Sequence, residues 1–181
     1  AYTAQLAILY LLTFYLGKLR GAISPPKMKK LIAEFKRAPE LMNELISEYK
    51  DPYNNIAAYA SEFKRYYYEK HNKSYFLYLG RNINYPNALE GALKLKEISY
   101  ISAEGYPAGE MKHGPIALID ENPWVVCIAT QAKTYDKMLS NIQEIKARSG
   151  IVIALVTEGD KEIQHHNVNY VIEMPKIDEL F

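Results

Sequence analysis

Three charged side chains recur at helical spacing near the middle of the chain, inside a segment that is otherwise mostly apolar. Glu90, Lys94 and Glu97 are separated by four and three residues, so a helix over residues 86–101 places all three on one narrow stripe. Pro86 in the first turn favours a helix start at this point. Because a helix that is apolar over most of its circumference is usually buried, the stripe must face either water or a polar cavity.

The two environments imply different roles for this stripe. On a solvated face, the three side chains form an i,i+4 and i,i+3 ion-pair ladder that adds little to stability. In a cavity, a carboxylate can move protons, and Lys94 can stabilise negative charge that develops on a substrate oxygen. The spacing alone leaves both interpretations open.

A second concentration of ionisable groups lies in the turn-rich segment 102–115. Its glycines and prolines surround Glu104, Glu110, Lys112 and His113, so the segment cannot be regular helix or strand throughout. Loops that combine glycine with ionisable residues are often functional sites. Histidine changes its charge near neutral pH, which makes His113 a candidate proton shuttle, although a single histidine is usually structural.

Three further groups of residues have a ligand-binding interpretation beside a simpler one. The turn at residues 80–82 follows a predicted strand and could approach an anion, but the chain has no glycine-rich phosphate motif, and an ordinary turn also fits. The basic and aromatic residues 64–68 could stack on nucleic acid, or pack against another part of the protein. His165 and His166 lack further ligands at metal spacing, so we expect them at the surface and expect no metal site.

Composition narrows the possible partners. The 22 basic and 21 acidic residues give a net charge of +1, which provides no broad field for nucleic acid or an anionic membrane. The apolar residues 6–16 are too few to span a bilayer and predict a buried helix. The single cysteine, Cys127, cannot form an internal disulfide, which favours the cytoplasm.

The elements that must position these residues follow from periodicity. Helices are predicted over residues 2–20, 27–49, from 51–52 to 70–73, 86–101 and 135–149. Pro39 is expected to divide the second of them into two pieces. Short apolar strands are predicted over residues 74–79, 124–130, 151–157 and 170–173. Apolar strands that alternate with helices predict an α/β fold with a parallel sheet and helices on both faces.

The sequence LGRNINYPNALEGALKLKEISYISAEGYPAGEMKHGPIALID (residues 79–120) closely resembles the second sugar isomerase (SIS) subdomain of the glutamine:fructose-6-phosphate aminotransferases, or glucosamine-6-phosphate synthases. The opening AYTAQL resembles the end of their first SIS subdomain. The resemblance implies a SIS-type doubly wound parallel sheet, truncated at both ends and preceded by connecting helices. Residues 1–24 then correspond to the last helix of the first subdomain, 25–73 to connecting and packing helices, and 74–181 to the second subdomain.

The resemblance also implies a reaction, the conversion of fructose 6-phosphate and glutamine-derived ammonia into glucosamine 6-phosphate. Glu97 resembles the base that moves a proton between C1 and C2 of the sugar, and Lys94 and Glu90 resemble its charged support. His113 resembles a histidine that assists ring opening in the active site of the neighbouring subunit. The implied partners are the sugar phosphate, a glutaminase domain and a second copy in a homodimer, with no metal, cofactor, nucleic acid or membrane.

Two parts of the family site are not found in this sequence. The Ser/Thr-rich phosphate-binding loops would precede Ala1, and the lysine that forms a Schiff base would follow Phe181, so we expect a fragment that is inactive by itself. Two alternatives remain open: a non-catalytic SIS module that senses sugar phosphates, and an SIS deaminase or deglycase that acts on amino sugars.

Overall fold

The computed structural model describes residues 2–49, 55–69, 75–120 and 123–181. It forms two compact units, Ala1–Glu44 with Phe181, and Leu45–Leu180. The α-helices are α1 (Tyr2–Leu19), α2 (Pro25–Tyr49), α3 (Asn55–Glu69), α4 (Asn84–Ser99) and α5 (Tyr135–Lys146). The strands are β1 (Phe76–Gly80), β2 (Ala103–Pro107), β3 (Trp124–Ala129), β4 (Ile151–Thr157) and β5 (Tyr170–Met174). Three 3₁₀-helices complete the fold: η1 (Ala108–His113), η2 (Pro115–Leu118) and η3 (Glu162–His166).

The first unit is held by aromatic side chains. Tyr10, Phe14, Phe35 and Phe181 contact one another with ring centroids 5.0 to 6.4 Å apart, mostly edge to face. The rest of α1 leaves seven large apolar side chains exposed, from Ile8 to Leu19. Among the described residues, no helix combines the length and apolar character that crossing a bilayer requires.

The prediction that Pro39 divides the second helix is wrong. α2 runs without interruption from Pro25 to Tyr49 and contains Pro39. Proline removes one backbone hydrogen bond and strains the preceding turn, but it does not force a break. The apolar periodicity continues on both sides of Pro39, and the gain from that amphipathic face outweighs the local cost. The expected start of the next helix, at 51–52, and its expected end, at 70–73, lie outside the described residues.

The second unit contains a five-stranded parallel sheet in the order β2-β1-β3-β4-β5. The chain leaves β1 towards β2 on one side, and then returns to β3 on the other side before it continues to β4 and β5. This reversal makes the sheet doubly wound. The predicted α/β class and the four predicted strands are confirmed.

Helices cover both faces of the sheet, and the two faces carry different candidate residues. On one face, Ala92 of α4 and Phe63 of α3 pack with Phe76 and Trp124 of the strands. On the opposite face, the buried side chains of α5 and η1 form a larger core with β1, β3 and β4. α4 and η1 therefore lie on opposite sides of the sheet. The aromatic residues of 64–68 belong to α3, and the contact of Tyr66 with Trp124 favours the packing interpretation of that segment.

β2 was not predicted, because its sequence has the composition of a turn. Only Ala103 in this edge strand is buried, and Gly105 is needed because a Cβ there would lie 2.8 Å from Leu89 Cα of α4.

The expectation that both His165 and His166 lie at the surface is wrong for the second residue. The His166 side chain is 8% exposed, with Nε2 3.6 Å from Glu162 Oε1.

We predict that Gly80→Ala strongly destabilises the second unit. A Cβ at residue 80 would lie 2.0 Å from the backbone oxygen of Asn84, which cannot move without displacing α4. The expected loss is more than about 2 kcal/mol of unfolding free energy, measured in denaturant through the fluorescence of the single tryptophan, Trp124. Gly109→Ala is the matched control, because its Cβ would meet only the end of the flexible Arg81 side chain, at 3.3 Å. Equal losses for the two variants would contradict this account.

Candidate active site

α4 is pressed against the sheet by its smallest residues. Ala88 and Ala92 are 0% and 2% exposed, and the helix ends where Tyr100, at φ +60°, donates its backbone N–H to Lys96 O. Observed from Asn84 to Ser99, the helix starts and ends about one half-turn before the predicted range 86–101. The alanine face fixes the rotation of α4 about its axis, so that the charged stripe points away from the sheet.

The structure brings Glu90, Lys94 and Glu97 together as a continuous ion-pair ladder. Lys94 Nζ lies 2.6 Å from Glu97 Oε2 and 3.8 Å from Glu90 Oε1. The hydrogen bond from Lys94 to Glu97 is the main cause of a raised pKa at the lysine. The side chains of Lys94 and Glu97 are each 51% exposed and that of Glu90 is 23% exposed. Within this chain the stripe faces solvent, and its catalytic role stays a prediction.

Large apolar side chains flank the stripe on the exposed surface of α4. Leu89 and Leu93 are both more than two-fifths exposed, and Ile98 and Tyr100 are 79% and 93% exposed. Exposed apolar groups that surround a few fixed charges are typical of a surface that another protein segment covers. In such a covered state, the ladder would lie in an environment with less water and stronger electrostatic interactions.

His113 lies at the last residue of η1 and is exposed. η1 packs with α5, on the face of the sheet opposite to α4. Among the described residues, no hydrogen bond or ion pair joins His113 to the charged stripe. Of the four candidate residues, the structure thus groups the three on α4 and leaves the histidine apart from them.

The turn after β1 lies at the point where the winding of the sheet reverses, which is where doubly wound folds bind ligands. Gly80 allows α4 to begin at once, and Asn84 Nδ2 donates to Thr130 Oγ1 at 3.1 Å across the end of β3. On the neighbouring strand end, Thr157 Oγ1 accepts the backbone N–H of Gln131 at 2.9 Å. The strand ends are therefore joined to each other by their own polar groups, which favours the ordinary-turn interpretation of residues 80–82.

Asp160 is a buried carboxylate that periodicity could not have singled out. It is 5% exposed and accepts hydrogen bonds from the Tyr135 hydroxyl, at 2.6 Å, and from the backbone N–H groups of Glu162 and Ile163. Burial, followed by the bond to Asp160, raises the pKa of Tyr135. The contacts of the carboxylate are those of a residue that begins η3 and fastens it to α5.

An open cleft of about 250 Å³ lies between η1 and α5, on the side of the sheet away from the stripe. Arg81 Nη1 donates to Asn141 Oδ1 at 2.7 Å, and Lys112 forms an ion pair with Glu144 at 2.8 Å. Lys137 also lines this cleft. No local pattern in the sequence indicates these pairs, because Arg81 and Asn141 are 60 residues apart and Lys112 belongs to the turn-rich segment.

The potential metal ligands and nucleophiles of the described residues do not form a further site. No group of three or more His, Cys, Asp and Glu side chains with metal-binding geometry occurs in the part of the chain that the structure describes. Cys127 is fully buried in the core on β3, and desolvation raises its pKa to about 12. A thiol in this environment is not a nucleophile at neutral pH.

A family comparison agrees with this geometry. The family model for the SIS domain, which describes the sequences of that family, matches residues 70–180, more than half of the chain. The chain belongs to the SIS domain family. The resemblance noted in the sequence is thereby confirmed at the level of the family, together with the fold that it implies.

Individual SIS relatives are closely similar over the whole chain. A glutamine–fructose-6-phosphate aminotransferase [isomerizing] of Thermus thermophilus is 50% identical over 176 residues, 96% of this chain, and one of Methanosarcina acetivorans is 47% identical over 99% of it. The chain spans 27% of the length of each of these relatives. The C-terminal domain of glucosamine-fructose-6-phosphate aminotransferase from Francisella tularensis matches the structure with a TM-score of 0.75 and 34% identity, over 95% of this chain and 45% of that one.

We predict that Cys127 does not react with an aromatic disulfide reagent in the folded protein at pH 8. With its pKa raised to about 12, the thiol is neutral at pH 8, and its burial excludes the reagent. The expected rate is at least ~100-fold below that of the same protein in guanidinium chloride, measured by the absorbance of the released thiolate. Since the chain has one cysteine, the signal has one source. Labelling at the unfolded rate would contradict the buried position.

Proposed function

We propose that this chain is part of the sugar-isomerising portion of a glutamine:fructose-6-phosphate aminotransferase. The complete enzyme would convert fructose 6-phosphate and ammonia from a glutaminase domain into glucosamine 6-phosphate, an amino-sugar precursor. The observation that carries the proposal is the preformed stripe of Glu90, Lys94 and Glu97, held outwards by α4 on an SIS sheet. The 50% identity to such an aminotransferase over nearly the whole chain supports it. The buried, unpaired Cys127 is compatible with the cytoplasm, where we propose that the enzyme works.

In this proposal Glu97 moves the proton. Conversion of the ketose imine to the amino aldose removes a proton from C1 and returns one to C2, and a single carboxylate beside the two carbons can do both. Lys94 stabilises the charge of the intermediate as a permanent cation. A protonated amine is not a nucleophile, so Lys94 in its ion pairs does not form a Schiff base itself. Glu90 holds the lysine from the other side.

Isomerisation requires a site from which water is excluded, and other segments of the complete enzyme would have to cover the stripe. A half-exposed ladder is surrounded by water, which would compete with the substrate for Lys94 and weaken its effect on the intermediate. The exposed apolar side chains Leu89, Leu93 and Ile98 beside the stripe are suited to packing against such a cover. By the family resemblance, these covering segments would contain the phosphate-binding loops and the lysine that forms the Schiff base.

We further propose that His113 serves the active site of a second copy of the chain in a homodimer. η1 and α4 lie on opposite faces of the sheet, so one chain presents the stripe and the histidine in different directions. An arrangement with twofold symmetry can satisfy both, because each copy then gives its histidine and receives that of its partner. Proton transfer during ring opening is chemistry that an exposed imidazole can perform.

We predict that Glu97→Gln in the complete enzyme lowers the rate of sugar isomerisation by at least ~100-fold, because an amide cannot accept the C1 proton. Binding of fructose 6-phosphate, measured by calorimetry, should persist, since the amide keeps the shape of the side chain. Glu40→Gln, at an exposed carboxylate on α2, is the matched control and should keep the wild-type rate. A wild-type rate in Glu97→Gln would refute the enzyme proposal and favour a sugar-phosphate sensor.

We also predict that two inactive variants restore activity when their subunits are mixed. Glu97→Gln supplies an intact His113, and His113→Ala supplies an intact Glu97, so each mixed dimer contains one complete site. Random exchange of subunits makes half of the dimers mixed, and about one quarter of the wild-type rate should return. If the histidine serves the site of its own chain, mixing restores nothing.

A further inference from the structure

The three faces of η1 have three different environments. A 3₁₀-helix has three residues per turn, so residues three apart lie on the same side. Ala108 and Met111 form the inner face and are both 0% exposed in the core. Glu110 and His113 form an outer face, and both are exposed. The direction of the histidine is therefore set by whatever fixes the rotation of this short helix.

The remaining face of η1 is fastened to α5 by a polar network. Gly109 lies against Arg81, whose Nη2 would be 3.3 Å from a Cβ at that glycine. Lys112, three residues further on, forms its ion pair with Glu144 at 2.8 Å. Asn141 connects the two contacts, because it accepts from Arg81 at 2.7 Å and donates weakly to Glu144 at 3.5 Å. The asparagine is 6% exposed, so α5 provides the network with a rigid support.

The covalent chain alone would not hold this orientation. A 3₁₀-helix of six residues has only two turns, and its poor hydrogen-bond geometry gives it little stability of its own. His113 is followed by Gly114 at φ +144°, with nothing within 4 Å of where its Cβ would lie, so the next residue does not brace the histidine. Two buried side chains hold the inner face, and the contacts to α5 prevent rotation about them.

We infer that Arg81, Asn141 and Glu144 are positioning residues that aim His113. This inference rests on the proposed function, in which the histidine assists isomerisation in the site of the partner copy. The three residues act through the ion pair of Lys112 with Glu144 and through the contact of Gly109 with Arg81. None of them touches the substrate. The ion pair is exposed on the lysine side, so its loss costs the fold little while it releases the outer part of η1.

The test uses Glu144→Gln in the complete enzyme, since glutamine keeps the shape and removes the charge. Amide hydrogen exchange across residues 108–113, measured by mass spectrometry, should become several-fold faster. The kcat of isomerisation should fall at least ~10-fold, because a small displacement of a catalytic group is costly, while KM for fructose 6-phosphate stays within about twofold. Asp136→Asn, an exposed carboxylate on the same helix, is the matched control and should change neither quantity.

A charge exchange separates positioning from general damage. Glu144→Lys alone places two cations together and should lower kcat further, whereas the double variant Lys112→Glu with Glu144→Lys restores the ion pair and should recover most of the rate. Unchanged exchange in Glu144→Gln, or a double variant no better than Glu144→Lys, would overturn the inference.

The His113→Ala variant, assayed in parallel, separates this inference from the proposal on which it rests. If that variant isomerises at the wild-type rate, the role of His113 in the proposed function has failed. The exchange measurement then still decides whether the network holds η1, because it does not depend on turnover. If His113→Ala is slow and Glu144→Gln is not, the positioning inference alone is overturned.

Discussion

The close approach of α4 to the sheet is the constraint on which the rest of the structure depends. Gly80 lets the first residue of α4 lie against the end of β1, and Gly105 lets β2 lie against the backbone of the helix. Ala88 and Ala92 bury the inner side without separating the layers. Dense packing of small residues leaves no freedom to rotate the helix, so the opposite side is fixed as well. The outward orientation of the charged stripe thus follows from the positions of these alanines and glycines.

The ladder on that stripe fits both of the interpretations that the sequence left open. Lys94 is paired with Glu97 and Glu90 at the surface, as an ordinary ion-pair ladder would be. The same contacts hold a cation and a carboxylate at fixed separation, which is the arrangement that the proposed isomerisation would need before the substrate arrives. What distinguishes a site from a solvated ladder is the exclusion of water, and that depends on surfaces beyond α4.

Sequence reasoning predicted the elements whose signal is local. The apolar runs of β1, β3 and β4 and the amphipathic α5 were found because burial imposes their periodicity. β2 was missed because packing against α4 demands glycine where a strand usually has a bulky residue. The Arg81–Asn141 contact was also missed, since it joins residues that only the folded sheet brings together. For the stripe itself, spacing gave its geometry, and the motif resemblance gave its proposed chemistry.

A crystal structure of the proposed complete enzyme with fructose 6-phosphate bound would test the role of Glu97 directly. We expect the Glu97 carboxylate to lie within about 3.5 Å of C1 or C2 of the open-chain sugar, in a cavity closed by other parts of the assembly. A Glu97 side chain that remains in open water, with the sugar bound elsewhere, would contradict it.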